Sequence, residues 1–123
     1  MNIGCDIESV ETFREHWKKK KHSFFERIFS KAEIEYCQKF KDPAPHFAAR
    51  FSAKEAVIKA ATPTKLVIGD VQIQNNSSGA PVVKIWKKRS VAEKFFKDSE
   101  VMVSLSHTND MAMACALIQK KNA

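Results

Sequence analysis

The segment from Arg50 to Ala60 constrains the fold most, because its composition strongly favours an α-helix. It reads Arg-Phe-Ser-Ala-Lys-Glu-Ala-Val-Ile-Lys-Ala, which is rich in strong helix formers and contains neither glycine nor proline. Phe47, Phe51 and Ile58 recur at spacings of four and seven residues, so the helix is predicted to turn an apolar side towards the core. We therefore expect the remaining elements to pack around this helix.

Glu55 and Lys59 give the predicted helix two possible roles. They stand four residues apart and are therefore neighbours on the helix surface. One interpretation is an ordinary surface ion pair, which contributes little to stability. The other is a binding site, because a carboxylate flanked by Arg50, Lys54 and Lys59 could hold a divalent cation together with a phosphorylated ligand.

The composition and charge limit the class of protein. A length of 123 residues fits one domain spanning 1–123, and a hydrophobic fraction of 44% excludes a disordered chain. The net charge of +7 and the pI near 9.4 predict an acidic partner. That partner could be nucleic acid, an acidic protein, a polyphosphate ligand or an anionic membrane surface, and charge alone does not choose among them.

The cysteines predict a reducing environment. Cys5, Cys37 and Cys115 are odd in number, widely spaced and without a Cys-x-x-Cys pair, which argues against zinc and against a disulfide framework. Each has apolar neighbours in the sequence, so each is expected to be a small buried hydrophobic residue. No secretory signal and no apolar segment long enough to span a bilayer is visible, so the expected location is the cytoplasm.

The patterns along the chain predict a single α+β domain, in which a small antiparallel sheet of about four or five strands packs against the long central helix and shorter helices. The predicted strands are 1–7, 71–74, 83–86, 101–106 and 111–118, with 71–86 forming a hairpin. The predicted helices begin at Val10, at Ser30 (with Glu33 in a capping box), at about His46 and at Ser90 (with Glu93 in a second capping box). Phe24 to Phe29 is expected to pack under the first helix, Pro43 and Pro45 to form a turn, Thr62-Pro63 to end the long helix, and 119–123 to fray.

The first predicted helix has an apolar side and a basic side. The apolar side comprises Val10, Phe13 and Trp17, and the basic side comprises Arg14, Lys18 and Lys21, widened by Lys19 and Lys20. Four consecutive lysines without acidic compensation exceed what solubility requires. The basic side is therefore either a solvated surface or a binding surface.

Most templates for catalysis are absent from this sequence. Three glycines do not make a phosphate-binding loop, and neither a Gly-x-Ser-x-Gly turn nor a His-Glu-x-x-His motif occurs. The four histidines lack the spacing of metal ligands. Three fragments remain as candidates, namely Gly4-Cys5-Asp6-Ile7-Glu8, the helix containing Lys54-Glu55 and Lys59, and Ser104-Leu105-Ser106-His107.

Together and in this order, the three fragments resemble the holo-acyl-carrier-protein synthase family, the small single-domain 4'-phosphopantetheinyl transferases. That family has Gly-x-Asp-Ile near its N-terminus, Arg-Phe-x-x-Lys-Glu-Ala-x-x-Lys-Ala on a helix, a hairpin turn Asn-x-x-Gly-x-Pro, and Ser-x-Ser-His before its last strand. The corresponding residues here are Gly4 to Ile7, Arg50 to Ala60, the turn with Gly79 and Pro81, and Ser104 to His107. The resemblance extends over almost the whole chain and implies the 4'-phosphopantetheinyl transferase fold.

The resemblance implies an enzyme that moves the phosphopantetheine arm of coenzyme A onto a serine of an apo acyl carrier protein and releases 3',5'-ADP. Asp6 and Glu55 correspond to the ligands of Mg²⁺, and Asp6, Glu55 and Lys59 to the catalytic residues. Glu55, or a water that it orients, would accept the serine proton, and Lys59 would neutralise charge on the pyrophosphate. The positions that the resemblance assigns to coenzyme A, the co-substrate, are Arg50, Lys54, Gly79, Pro81, Ser106 and His107.

The resemblance also implies partners. In this family the first helix docks an acidic acyl carrier protein, for which Arg14, Lys18 and Lys21 would supply the complementary charge. Family members of this length are homotrimers with active sites between subunits, and neither a nucleic acid nor a membrane is an expected partner. The pathway would be fatty-acid or polyketide biosynthesis.

Two segments depart from the family pattern. The family commonly has a Gly-Thr-Gly loop where this chain has Ala61-Thr62-Pro63, and often an arginine where this chain has Thr12. The alternative function is a non-catalytic basic module that retains the fold and binds nucleic acid or an acidic protein. Asp6 and Glu55 discriminate between the two, because a charge-only binder has no need of two convergent carboxylates.

Overall fold

One long helix and five strands organise the described residues, which are 1–62, 64–85 and 90–121 of this computed structural model. In chain order the elements are β1 (Asn2–Ser9), α1 (Val10–Lys18), α2 (His22–Ile28), α3 (Lys31–Gln38), α4 (Ala44–Ala60), a 3₁₀ turn (Ile68–Asp70), β2 (Val71–Asn75), β3 (Pro81–Ile85), α5 (Ser90–Lys97), β4 (Ser99–His107) and β5 (Met111–Lys120). Among these residues, no helix has both the length and the hydropathy needed to cross a membrane.

The strands form two antiparallel sheets. β1, β5 and β4 lie side by side in that order, and β2 pairs with β3 as a separate hairpin. The α+β class and the hairpin are confirmed, whereas the prediction of one sheet with four or five strands is wrong. Side chains from α3 and α4 bind the edge of β2 that is not paired with β3. Lys54 Nζ donates to the Val71 carbonyl, and the Ile73 N–H donates to Glu33. A further strand is therefore not needed to satisfy that edge.

Several element boundaries differ from the prediction. Helix α4 begins at Ala44, and Pro45 lies in its first turn, where the missing N–H of proline costs no helical hydrogen bond. Strand β5 continues through Gln119 and Lys120, because both residues pair with the start of β4. The predicted fraying of those two residues is therefore wrong. Pro63, Trp86 and the predicted capping box at 90–93 lie outside the described residues or side chains.

Helix α4 is buried on nearly its whole circumference, rather than on one apolar side as predicted. Ala53 and Ala56 are fully buried in the cluster that includes the inner face of the three-stranded sheet. Phe47 is fully buried on the other side, among the aromatic residues of α1 and α2, and Phe51 and Ile58 are half-buried. The predicted packing of residues 24–29 under α1 and the Ser30 capping box are both confirmed.

The cysteines are not all buried. Cys37 is fully buried, and burial raises the pKa of its thiol to about 12. Cys5 and Cys115 are exposed and lie directly opposite each other on β1 and β5. The prediction of burial is wrong for these two, because they project from the face of the sheet that faces away from α4 and that no described element covers.

Candidate active site

Strand β1 presents one face to helix α4. Because side chains alternate along a strand, Asn2, Gly4, Asp6 and Glu8 share that face, and all four are more buried than the residues between them. At Gly4 the two backbones nearly touch, since a Cβ added there would overlap the Ala56 carbonyl oxygen. Glycine is therefore required for β1 to lie this close to the helix.

Two hydrogen bonds hold β1 along α4, one on each side of Gly4. Asn2 Nδ2 donates to the Ala60 carbonyl at 2.9 Å, and Ser52 Oγ donates to the Asp6 carbonyl at 2.9 Å. The second bond fixes the backbone of Asp6 itself against the helix. The position of the Asp6 carboxylate is therefore set by packing and by hydrogen bonds rather than by a flexible loop.

Asp6 and Lys59 form an ion pair across this contact. Lys59 Nζ lies 3.0 Å from Asp6 Oδ1 and also donates to the Cys5 carbonyl at 3.1 Å. The Asp6 side chain is 9% exposed, whereas that of Lys59 is 52% exposed. Lys59 pairs with Asp6, and no ion pair between Glu55 and Lys59 is recorded among the described residues.

The carboxylates around this pair influence one another. Burial, and then the charge of Asp6, raise the pKa of Glu55, whereas Lys59 lowers it. Burial, and then the neighbouring Asp6 and the charge of Glu55, raise the pKa of Glu8 to about 8. The structure therefore brings Asp6, Glu55 and Lys59 together, as the resemblance implied, and adds Glu8.

Glu8 belonged to the candidate fragment Gly4 to Glu8 but was given no role. The predicted strand ended at Ile7, whereas β1 continues to Ser9, so Asp6 and Glu8 lie two residues apart on one strand and share a face. The raised pKa of Glu8 shows that its carboxyl group is close to those of Asp6 and Glu55. It lies at the edge of the site rather than in the ion pair.

The oxygen atoms gathered here suit a hard divalent cation. Asp6 Oδ2 is buried and has no recorded hydrogen-bond partner among the described residues. Mg²⁺ is usually bound through one or two carboxylates, with phosphate oxygens and water completing its shell. In the part of the chain that the structure describes, no group of three His, Cys, Asp or Glu side chains could hold a metal ion by itself. Asp6 and Glu55 would therefore share a cation with a ligand.

Lys54 is not available to a ligand, contrary to its assignment to the coenzyme. Its side chain is 1% exposed, and its ammonium group donates to Glu33 Oε1 at 2.7 Å, to the Val71 carbonyl at 2.7 Å and to the Ile28 carbonyl at 3.0 Å. An ammonium group has three donors, so all of them are used inside the protein. Lys54 holds the helix bearing Glu55 in place and is almost fully shielded from solvent.

Arg50 connects α4 to the hairpin. Its Nη2 donates to Asn75 Oδ1 at 2.8 Å, and its guanidinium carbon lies 4.1 Å from the centre of the Tyr36 ring. Asn75 in turn donates to the Gly79 carbonyl and pairs with Pro81 across the hairpin. The structure thus brings Arg50 to the turn with Gly79 and Pro81, although Arg50 itself is only 6% exposed.

Ser106 and His107 project from opposite faces of β4. His107 follows the half-buried Leu105 by two residues, so it lies on the α4 side, and its ring lies 5.3 Å from that of His46 in the first turn of α4. His107 and Glu8 both pair with Ala112 of β5, which puts them about 10 Å apart across the sheet. Ser106 points away from Asp6 and Glu55, and a single subunit does not bring it to them.

The basic residues near α1 differ from the prediction. Helix α1 ends at Lys18, and Lys21 directly precedes α2, so they do not share one helix face. Arg14 is compensated, because its guanidinium lies 2.6 Å from Glu11 and 2.6 Å from Asp42. Lys18 and Lys21 are exposed and take part in no ion pair recorded among the described residues.

Comparisons with known proteins identify the family of this chain. Residues 2–116 match the model of the 4'-phosphopantetheinyl transferase superfamily. The holo-[acyl-carrier-protein] synthases of Caldicellulosiruptor saccharolyticus and Aquifex aeolicus are 37% and 38% identical to this chain, and each alignment covers 98% of it and 97% or 99% of the relative. The Helicobacter pylori holo-[acyl-carrier-protein] synthase, solved in complex with coenzyme A, is similar in structure with a TM-score of 0.80 at 28% identity, over 95% of this chain and 99% of the other. The ACPS-CoA complex from Chronobacterium ammoniagenes has a TM-score of 0.78 at 25% identity, over 98% of both chains.

Proposed function

The chain belongs to the 4'-phosphopantetheinyl transferase superfamily as a holo-acyl-carrier-protein synthase, and we propose that Asp6, Glu55 and Lys59 carry its reaction. The reaction transfers the 4'-phosphopantetheine arm of coenzyme A to a serine of an apo acyl carrier protein. The observation that carries the proposal is the contact of β1 with α4. There the carboxylates of Asp6 and Glu55 lie together with Lys59, and Asp6 Oδ2 has no recorded hydrogen-bond partner among the described residues.

Asp6 and Glu55 would hold Mg²⁺ between them. Both are oxygen donors, which hard cations prefer, and Asp6 Oδ2 is buried without a recorded hydrogen-bond partner among the described residues. The ion, when bound, would neutralise the charge of the pyrophosphate and orient it. The side chain of Lys59 is half exposed, so its ammonium group can turn from Asp6 to a phosphate oxygen of the coenzyme.

Glu55 is the proposed base. Its half-buried carboxylate lies beside Asp6 and Lys59 at the contact of β1 with α4, in the same site as the proposed phosphate contacts. The proton of the carrier serine passes to Glu55, directly or through one water, as the serine oxygen bonds to the phosphorus of the phosphopantetheine phosphate. The bond between that phosphorus and the bridging oxygen breaks, and 3',5'-ADP leaves with the bonding electrons. No nucleophile from this chain is required.

The coenzyme would lie between the α4–hairpin contact and a neighbouring subunit. Arg50, Gly79, Pro81 and His107 are the proposed coenzyme residues of one subunit. Ser106 is the exception, because it faces away from Asp6, and it would contact a coenzyme only if a second subunit covers the outer face of the sheet. The proposed homotrimer, with active sites at its subunit interfaces, would satisfy that condition.

The outer face of the three-stranded sheet supports the proposed homotrimer. Large apolar side chains there are exposed to an unusual degree, including Ile3 at 75%, Ile7 at 62%, Met102 at 48% and Met113 at 45%. Strand register aligns them in rows across β1, β5 and β4, and a contiguous apolar patch of this kind marks an interaction surface.

Lys18 and Lys21 are the proposed docking residues for the acidic carrier, with Arg14 at the edge of that surface. Because Arg14 is already paired with two carboxylates, the two lysines would supply most of the attraction. The proposed pathway is fatty-acid or polyketide biosynthesis, since both use such carriers.

A carrier-loading assay tests the proposed function. Purified protein is incubated with apo acyl carrier protein, coenzyme A and Mg²⁺, and the intact mass of the carrier is measured. We expect the mass of the carrier to rise by that of the phosphopantetheine arm, and the rise to disappear with a chelator and return with added Mg²⁺. If a carrier that another transferase can load gains no mass here, the proposal is refuted.

A further inference from the structure

A groove between helices α1, α2 and α3 lies apart from the proposed active site. It consists of a cavity of about 590 Å³ and a smaller one of about 280 Å³, which share Trp17, His22, Phe25 and Gln38 as lining residues. We call the two together the α1–α3 groove. Its combined size lies in the range of small-molecule pockets.

The floor of the α1–α3 groove is apolar and rigid. Its apolar residues are Trp17, Phe25, Phe29 and Ile34. The ring of Phe25 lies 5.2 Å from that of Trp17, edge to face, and 6.0 Å from that of Phe29, and both phenylalanines pack on the buried Phe47. Rings held by this many neighbours form the floor before any ligand arrives, which lowers the entropic cost of binding.

The α1–α3 groove is electrically asymmetric. The smaller cavity is lined by Lys20, Lys21 and His22 and by no carboxylate, whereas the other end has two glutamates and one lysine. The ion pairs recorded among the described residues involve neither Lys20 nor Lys21. One end therefore attracts an anion, and the remainder does not.

The backbone at Lys20 presents this basic end. Lys20 has a φ of 51°, in the left-handed region where a helix end usually has glycine or asparagine. Its N–H donates to the Trp17 carbonyl and that of Lys21 donates to the His16 carbonyl, so the turn that closes α1 is fully bonded. Glycine at this position would end the helix with less backbone strain than lysine. Lysine instead places a positive charge at the mouth of the groove.

We propose that the α1–α3 groove binds a single-chain anionic amphiphile, a fatty-acid carboxylate, with its head group at Lys20 and Lys21 and its alkyl chain over Trp17 and Phe25. The asymmetry of charge requires one anionic end and one apolar body. The two cavity volumes, about 590 and 280 Å³, are in the range of small-molecule pockets. Because Lys21 also belongs to the proposed docking surface, an occupant would compete with the carrier for it.

Fluorescence of Trp17 tests the proposal directly. In a Trp86→Phe background Trp17 is the remaining tryptophan, and octanoate, decanoate and dodecanoate are titrated below their micelle concentrations, with decanol as the uncharged control. We expect a saturable change in Trp17 emission. The dissociation constant should fall about fourfold per added methylene, as burial of alkyl groups predicts. Decanol should bind more weakly than decanoate.

A matched pair of double variants tests the head-group site. Lys20→Asn with Lys21→Gln removes the two charges of the groove, and asparagine tolerates the left-handed conformation. The control pair, Lys18→Gln with Lys19→Gln, also removes two positive charges from the end of α1, but neither residue lines the groove. We expect the first pair to weaken decanoate binding at least tenfold and the second to leave it within about twofold.

Several outcomes would overturn the proposal. They are the absence of a saturable change, equal affinities for decanoate and decanol, equal effects of the two double variants, and a series without dependence on chain length. A change in Trp17 emission with apo carrier protein but not with any carboxylate would assign the groove to the carrier instead. Each of these results is distinct from the outcome of the carrier-loading assay, because none requires catalysis.

Discussion

Replacement of Lys54 by methionine tests the role that the structure gives to this residue. The variant keeps most of the side-chain volume but leaves Glu33 as an uncompensated charge that is only 1% exposed, and it removes the donor from two buried carbonyls. Loss of one partner from a buried ion pair costs about 3–5 kcal/mol, against a total stability of about 5–15 kcal/mol for a domain. We expect a fall of that size in the free energy of unfolding, measured with urea at a fixed protomer concentration.

Two further variants make the test of Lys54 specific. Lys41→Met changes an exposed lysine and should alter the free energy of unfolding by less than about 0.5 kcal/mol. Glu33→Gln combined with Lys54→Met removes the isolated charge, so the double variant should lose less stability than the sum of the single variants. If Lys54→Met behaves like Lys41→Met, Lys54 is not the buried structural residue described here.

Three other predictions follow from the contacts of β1, the outer face and the docking lysines. Gly4→Ala should lower the free energy of unfolding by at least about 1–3 kcal/mol, because the new Cβ would meet the α4 backbone. At Gly69 there is room for a Cβ, so Gly69→Ala should change the free energy of unfolding by less than about 1 kcal/mol. A small loss for Gly4→Ala in urea titrations would contradict the close contact. Ile7→Glu should convert the proposed trimer to smaller species in sedimentation experiments, and an unchanged mass would argue against the outer face as the interface. Neutralising Lys18 and Lys21 should raise the KM for the carrier more at low salt than at high salt, and an effect independent of salt would speak against electrostatic docking.

Local patterns were enough to predict most elements of the fold. Helix propensity identified α4, alternation identified the strands, and the Ser30 capping box was recognised from its spacing. These signals depend on neighbours a few residues apart. The division into two sheets was not predictable in this way, because it depends on how Lys54 and Glu33 occupy the edge of β2 from other elements.

The errors in the candidate site have a common physical cause. A lysine is rarely buried, so the sequence favoured an exposed role for Lys54, whereas its partners are 17 to 26 residues away along the chain. The direction of Ser106 depended on the register of β4, which a motif does not contain. Asp6, Glu55 and Lys59, by contrast, were placed together by their resemblance to a family motif, and the structure brings them into one site.

The most direct test of the central claim is the rate of carrier loading by Glu55→Gln. This variant removes a proposed Mg²⁺ ligand and base while keeping the size of the side chain, and Asp98→Asn, an exposed position between α5 and β4, is the control. We expect Glu55→Gln to lose at least about a hundredfold in kcat while unfolding like the parent protein, and Asp98→Asn to retain full activity. Unimpaired loading by Glu55→Gln would contradict the assignment of the active site to the contact of β1 with α4.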